Sequence, residues 1–234
     1  QVCSYQGSIL GGCKNLVTAN KSSVVGGILN TASAEYSFVG GGQFNVVQAP
    51  YSSIIGGLNN IAKFTGKGNQ FIGGGTLNTA SGNYSFIGGG SCNQTLTSFA
   101  TVVGGIRNTG SGDCSFIGGG ESNYIKDFGS SIVGGCDNFI ELSGKGGQFI
   151  GGGEGNISTN FWSSVVGGQG NCVYSTTSII GGGESNRIGV SGGASSPSNS
   201  FIGGGAGNCI AKGGDYSGIL GGQANCIDGH DHSF

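Results

Sequence analysis

The chain contains no methionine, only two prolines and a single tryptophan, and charged residues make up just 9% of it. With nine Lys and Arg scattered and no basic run, it lacks the footprint that a phosphate-binding surface would need, so no nucleic-acid partner is expected. The low-hydrophobicity, high-charge signature of intrinsic disorder is missing as well, since the net charge is −2. No apolar run approaches the roughly 18 residues of a spanning helix, so no membrane span is expected. No charged-then-apolar leader precedes Gln1, and the absent initiator Met points to a processed or excised chain. Among the eight cysteines there is no C-x-x-C pair and no His-rich spacing, which argues against structural zinc. They read instead as disulfide-capable. Four Asn-x-Ser/Thr triplets, at Asn20, Asn83, Asn93 and Asn156, fit the same secreted setting.

What is present in excess is glycine, 55 of 234 residues, and it recurs with a period. The unit is Ser-x-Ile/Val-Gly-Gly followed by Asn, repeated fourteen times, with most neighbours 15 residues apart. Its Asn residues are Asn15, Asn30, Asn45, Asn60, Asn78, Asn93, Asn108, Asn123, Asn138, Asn156, Asn171, Asn186, Asn208 and Asn225. Extra Gly-, Lys- and Ser-rich residues, such as Thr65 to Gly68, Ser143 to Gly146 and Ser191 to Ser198, read as loops lengthened on one edge of a stack. A unit this short cannot hold a helical hairpin, and Gly-Gly would cost a helix interior about 1 kcal/mol per Gly. The expected fold is therefore all-β, a parallel β-solenoid (β-roll) of about fourteen 15-residue coils. It forms one repeat domain over 1–234, with repeats over about 8–227 and short terminal segments 1–7 and 228–234.

Two strands per coil are expected, Ser-x-Ile and Asn-x-Ile/Val/Ala, and side chains alternate along each. Counting from the Ser, the third slot is aliphatic in every coil (Leu10, Val25, Val39, Ile55, Ile72, Ile87, Val103, Ile117, Val133, Ile150, Val166, Ile180, Ile202, Leu220) and is predicted to line a thin interior. The second slot, with Ile9, Val24, Ile54, Val102, Ile132, Val165, Ile179, Ile219 and the six rings Phe38, Phe71, Phe86, Phe116, Phe149 and Phe201, is then predicted to face outward. Phe occurs there only with a third Gly, which also delays the Asn by one residue. Loss of side-chain volume, or a bulge, would let the ring lie down. The row of Asn is predicted to point inward, hydrogen-bonding along the axis or tying down the Gly turn. That placement makes Asn93 and Asn156 poor sugar acceptors and leaves Asn20 and Asn83 as the candidates.

An outward apolar stripe longer than a soluble monomer exposes calls for a cover, and copies of the chain are the economical one, as a threefold or twofold assembly. Ser-Val-Val-Gly-Gly at Ser23 to Gly27 and Thr-Val-Val-Gly-Gly-x-x-Asn-Thr-Gly-Ser at Thr101 to Ser111 resemble the head repeats of trimeric autotransporter adhesins and of related viral and phage fibre proteins. The resemblance spans Ser8 to Ile227. It implies a left-handed parallel β-roll, a homotrimer and adhesion to host matrix or cells, hence a location that is extracellular, on a cell surface or on a virion surface.

No chemistry competes with that reading. Gly-Gly-Gly is not followed by the helix start or Lys of a phosphate loop, and the nine-residue Asp-bearing period of calcium β-rolls is absent. His230, His232, Asp228 and Asp231 form the only dense ligand cluster and read as a C-terminal tail. No catalytic, cofactor or metal residues are assigned, and the chain is not expected to be an enzyme. Aromatics six residues after the Asn (Tyr36, Tyr51, Tyr84, Phe99, Trp162, with Tyr216 after an inserted pair) could stack on sugars or cover coil edges, so a glycan- or surface-binding face is the alternative function. Cys209 and Cys226 share one slot in successive coils and are the candidate disulfide. The preferred function is a structural fibre or filament subunit, assembled as a homotrimer or head to tail, with adhesion second.

Overall fold

A computed structural model describes residues 1–141, 144, 146–191 and 196–229. It is all-β, a parallel β-solenoid of fourteen turns of about 15 residues, with no helix among the described residues. Contacts divide the chain into two compact units, Gln1–Cys114 and Ser115–Phe234, with seven turns in each. The inserted residues Leu142, Ser143, Lys145 and 192–195 lie outside the described residues, as does the 230–234 stretch with both His.

Within each unit seven two-residue first strands form one parallel sheet and seven second strands form another. In unit 1 the first strand of a coil pairs with that of the next in unbroken register, as Phe71–Phe86–Thr101 and Ile72–Ile87–Val102 show. Second strands do the same, with Ala62–Ala80–Thr95 in one column. Unit 2 repeats the pattern with Ile150–Val165–Ile180 and Ser158–Val173–Ile188. A third ladder of single-residue bridges runs two positions before each ladder Asn, from Cys13 to Ile106 in unit 1 and from Glu121 to Gln223 in unit 2. The N-terminal segment is already part of the stack, because Val2 pairs with Val17.

Registration corrects the predicted interior row. The buried residue of the first strand lies six positions before the ladder Asn in every coil, whichever sequence variant the coil has. In coils with three Gly that residue is the third slot, as predicted: Val39, Ile72, Ile87, Ile117, Ile150, Ile180 and Ile202 are fully buried. In coils with two Gly it is the second slot, so Val24, Ile54, Val102, Ile132, Val165 and Ile219 point inward, with Ile9 packed against the same core. Leu10, Val25, Ile55, Val103, Val133, Val166 and Leu220, predicted inside, face outward. Val102 is 0% and Val103 46% exposed. A third Gly neither adds a residue nor makes a bulge. The one-residue offset between the two variants arises because Ser22-Ser23, Ser52-Ser53, Ser130-Ser131 and Ser163-Ser164 are doublets, and it is the first Ser of each, not the second, that corresponds to Ser37 and Ser85. The first Ser of each is a buried corner and the second begins the strand. Strand periodicity of two turns such a one-residue slip into an exchange of faces.

The Asn row points inward, as predicted, and its geometry explains the glycines. In a typical coil Asn30 Nδ2 donates to Gly26 O at 3.0 Å in its own coil and to Gly42 O at 2.9 Å in the next, while Asn30 Oδ1 accepts from Asn45 N at 3.0 Å. One amide thereby ties its own Gly turn and the adjoining coil. The second Gly of the turn has φ near +86°, and a Cβ on Gly27 would sit 2.1 Å from Gly42 O and 2.5 Å from Asn30 Nδ2, so only Gly fits. Immediately before the Asn comes a residue near φ +55° that is often not glycine: Leu29, Phe44, Leu77 and Arg107 all adopt it. These residues are held there by hydrogen bonds between coils, such as Leu29 N to Cys13 O at 3.0 Å.

Candidate assembly surface

The outer face of the first sheet is built from two positions per coil, one on each side of the buried residue. Where the earlier position is Ser or Thr, the later is Val, Ile or Leu, as in Ser53/Ile55 and Thr101/Val103. Where the earlier is Phe, the later is always Gly. A Cβ built on Gly40, Gly73, Gly88, Gly118, Gly151 or Gly203 would lie 3.3–3.5 Å from Cε1 of the Phe two residues before it. The ring therefore reaches across its own strand and lies over the Gly, as the sequence suggested. It fills the column that an aliphatic side chain fills in the neighbouring coils. The backbone makes the same demand independently, since that Cβ on Gly88 would also be 2.3 Å from Val103 O.

Two sequence solutions, with Ile179/Gly181 and Gly218/Leu220 as the two exceptions, thus produce the same ridge in each unit, with an apolar group in each coil at the spacing of about 4.8 Å between strands. Phe71 and Phe86 stack within it at 5.3 Å between ring centres. Phe86, Phe116, Phe149 and Phe201 are exposed, Phe38 and Phe71 half-buried, and the aliphatic members exposed. Taking about 200 Å² for a whole Phe, the open part is roughly 70 Å² per coil, or about 500 Å² per seven-coil unit, the size of the largest patch on an ordinary monomer.

Each unit borders this ridge differently. Beyond the Gly-Gly turn, unit 1 presents Ile28, Leu58 and Ile106 in the bridge ladder, with Leu29, Phe44 and Leu77 beside them, all exposed, and the cations Lys14 and Arg107. Unit 2 presents Glu121, Glu154 and Glu184 in the same ladder and Asp137 next to it. Gln169 Nε2 donates to Glu154 at 3.3 Å, and the Asp137 carboxylate, 3.3 Å from the Cys136 thiol, holds that thiol above its usual range.

On the opposite border of the ridge lie the closing-turn aromatics, all exposed, four of them stacked in pairs. Tyr36 stacks on Tyr51 at 4.8 Å and Tyr84 on Phe99 at 5.1 Å. The Lys21 ammonium covers Tyr36, 4.8 Å from its centre, and donates to its hydroxyl at 2.7 Å, a bond that holds the lysine above its ordinary range. Trp162 is 63% exposed and packs on Gly147, where a Cβ would meet the indole. Along the outer face of the second sheet in unit 2, Tyr124 stacks on Phe139 with Lys126 over both rings, a cluster that no repeat pattern announced.

Farther along that outer face, Cys172, Arg187, Cys209 and Cys226 are consecutive register partners. Arg187 Nη2 lies 3.4 Å from Cys209 Sγ, and burial, then the adjacent Cys209, push the Cys226 thiol up. All eight cysteines are free, Cys209 and Cys226 included. In-register parallel strands hold neighbouring Cβ atoms near 4.8 Å, about 1 Å wider than a relaxed disulfide prefers.

Of the sequon residues, Asn93 and Asn156 are fully buried in the Asn row. Asn20 is exposed and Asn83 half-buried, and each accepts through Oδ1, from Tyr5 N at 3.0 Å and from Lys67 N at 2.7 Å, which leaves Nδ2 free of that bond. Asp127 was not singled out by sequence. It is buried in unit 2 beneath the insertion, where its carboxylate accepts from Gly146 N at 3.1 Å and Phe128 N at 3.0 Å.

No family model matches the chain, and no curated protein matches it either.

Proposed function

We propose that the chain is a structural subunit of an extracellular fibre or filament, in which copies bury their ridges against one another and stack coil on coil, with adhesion a secondary capacity. The observation that carries this reading is the ridge itself. Every coil of both units spends an outward position on an apolar group, twelve of them by one of two sequence devices, and a surface kept apolar in this way serves contact rather than solvation. The hydrogen-bonding edges of the outermost coils suit end-to-end stacking by the same ladder that joins coils within a unit. A ring of three copies or a head-to-tail polymer would both use these surfaces, and a Cys209–Cys226 bond would brace the last two coils against pulling.

Sedimentation and electron microscopy of the full chain test the proposal. Assembly is expected to rise with concentration and to be lost when Val103 and Val133 are replaced by Ser, changes on the exposed face that leave the core intact. A chain that remains a monomer at high concentration overturns it. A second reading rests on Trp162, whose indole is the most open of the closing-turn aromatics named above. Glycan-array binding that vanishes in Trp162→Ala would favour a sugar-binding face over a purely mechanical one.

A further inference from the structure

The two units carry opposite charge. Gln1–Cys114 has five cations (Lys14, Lys21, Lys63, Lys67, Arg107) and two anions (Glu35, Asp113), a net of +3. Ser115–Phe234 has four cations and nine anions, a net of −5, and together they make up the −2 of the whole chain. Both units have the same ridge, so ridge packing alone does not select an orientation between copies. Charge does. It is placed where it matters, because Lys14 and Arg107 border the ridge of unit 1 at the Gly-Gly corner and Lys21 borders it at the closing turn, whereas Glu121, Glu154 and Glu184 border that of unit 2.

We infer that copies associate with unit 1 of one against unit 2 of another, antiparallel or staggered by one unit, rather than in register side by side. The inference rests on the assembly proposed above and names its partner surface. Copies in register would set one glutamate column against the same column of their neighbours, within the roughly 10 Å over which charges still interact at 0.1 M salt. Opposed units set cations against carboxylates along a shared apolar seam. The contact is then a complementary one, and like-charge juxtaposition selects against the parallel alternative. If staggered, each copy keeps a free unit at either side, and the assembly propagates as an open filament.

The test mixes full-length chains of natural isotope content with ¹⁵N-labelled ones, assembles them at low salt and joins touching carboxylates and ammonium groups with a zero-length carbodiimide. Peptides linked between a light and a heavy chain are expected to connect Lys14 or Lys21 with Glu154 or Glu184. Affinity should fall at least tenfold between 0.05 and 0.5 M salt. The pair Lys14→Glu with Lys21→Glu should weaken assembly similarly, and adding Glu154→Lys with Glu184→Lys should restore it. Light–heavy links within like units, such as Lys14 with Glu35 or Lys126 with Glu154, would overturn the orientation while leaving the fibre reading standing, as would salt-independent assembly. A chain that never assembles defeats both.

Discussion

Replacing Asn93 by Ala tests the claim that one buried amide per coil holds adjoining coils together. Asn93 Nδ2 donates to Gly89 O and Gly105 O, each at 2.9 Å, and Oδ1 accepts from Asn108 N at 2.9 Å. Gly105 O keeps its bond from Ser91 N, and Gly89 O lies on a half-buried turn within reach of water, so the substitution strands one fully buried backbone group, the Asn108 N–H. At about 1–3 kcal/mol for a stranded buried group, the cost is about 1–3 kcal/mol, a sizeable part of what a unit of this size can spare. Urea denaturation followed by circular dichroism measures the loss, and hydrogen exchange at Asn108 locates it. Asn225 supplies the comparison inside the same molecule. It is exposed and donates within its own coil to Gly221 O at 3.0 Å, so Asn225→Ala should cost less than about 1 kcal/mol. Asn93→Asp refines the test, because a carboxylate there faces carbonyl oxygens. Its folded-state pKa is raised above the unfolded value, so the variant should be more stable at pH 4 than at pH 7, stability being lost as pH rises. An Asn93→Ala protein within 0.5 kcal/mol of the parent, or equal losses at Asn93 and Asn225, would refute the reasoning.

Neighbouring glycines should behave differently. Gly89→Ala, where a Cβ meets nothing within 4 Å, is expected to be nearly neutral, and Gly88→Ala, where it would meet Val103 O at 2.3 Å, to lower the thermal midpoint clearly. The register of the core predicts that Ile87→Ala costs about 2–5 kcal/mol in urea unfolding, whereas Val103→Ala costs under about 1 kcal/mol and weakens association instead. The raised pKa of Cys226 predicts slower alkylation at pH 8 in the folded protein than in urea, read by mass spectrometry; equal rates would contradict it. Mild oxidation should join Cys209 to Cys226 before any other pair, and peptide mapping that found Cys92 or Cys136 linked first would count against the register.

Repeat length, strand direction and the inward Asn were legible because a solenoid writes each row of its structure as a column of the sequence. Coil register was less so. Ser at the buried corner and Ser at the strand start are chemically alike, and only the count back from the Asn separates Val24 from Val25. Counting from the invariant residue would have placed both variants correctly, since their spacing to the buried aliphatic never changes. The Phe–Gly pairing and the room it leaves for the ring were visible, but not that the ring crosses its own strand to reach the Gly two residues on, which is a fact of rotamer and space. Left-handed residues such as Leu29 and Phe44 could not be read at all. Leucine and phenylalanine disfavour that conformation, and inter-coil hydrogen bonds impose it. Asp127 belongs with these, an isolated acid that accepts from Gly146 N, in a loop nineteen residues onward.

Every departure from the 15-residue count falls in the same closing turn, after the second strand and before the buried corner: at Lys63 to Asn69, Glu141 to Gly147, Gly189 to Asn199 and Ala211 to Tyr216. In two of them a Gln replaces the corner Ser and clasps the root of the insertion, Gln70 Nε2 to Lys63 O at 2.9 Å and Gln148 Nε2 to Glu141 O at 3.1 Å. A site that has accepted two, three and seven added residues with the ladder unbroken is a natural graft point. Foreign peptides spliced there with a Gln at the corner would be displayed at coil-height intervals along one edge of a unit, making each unit a ruler for spacing ligands.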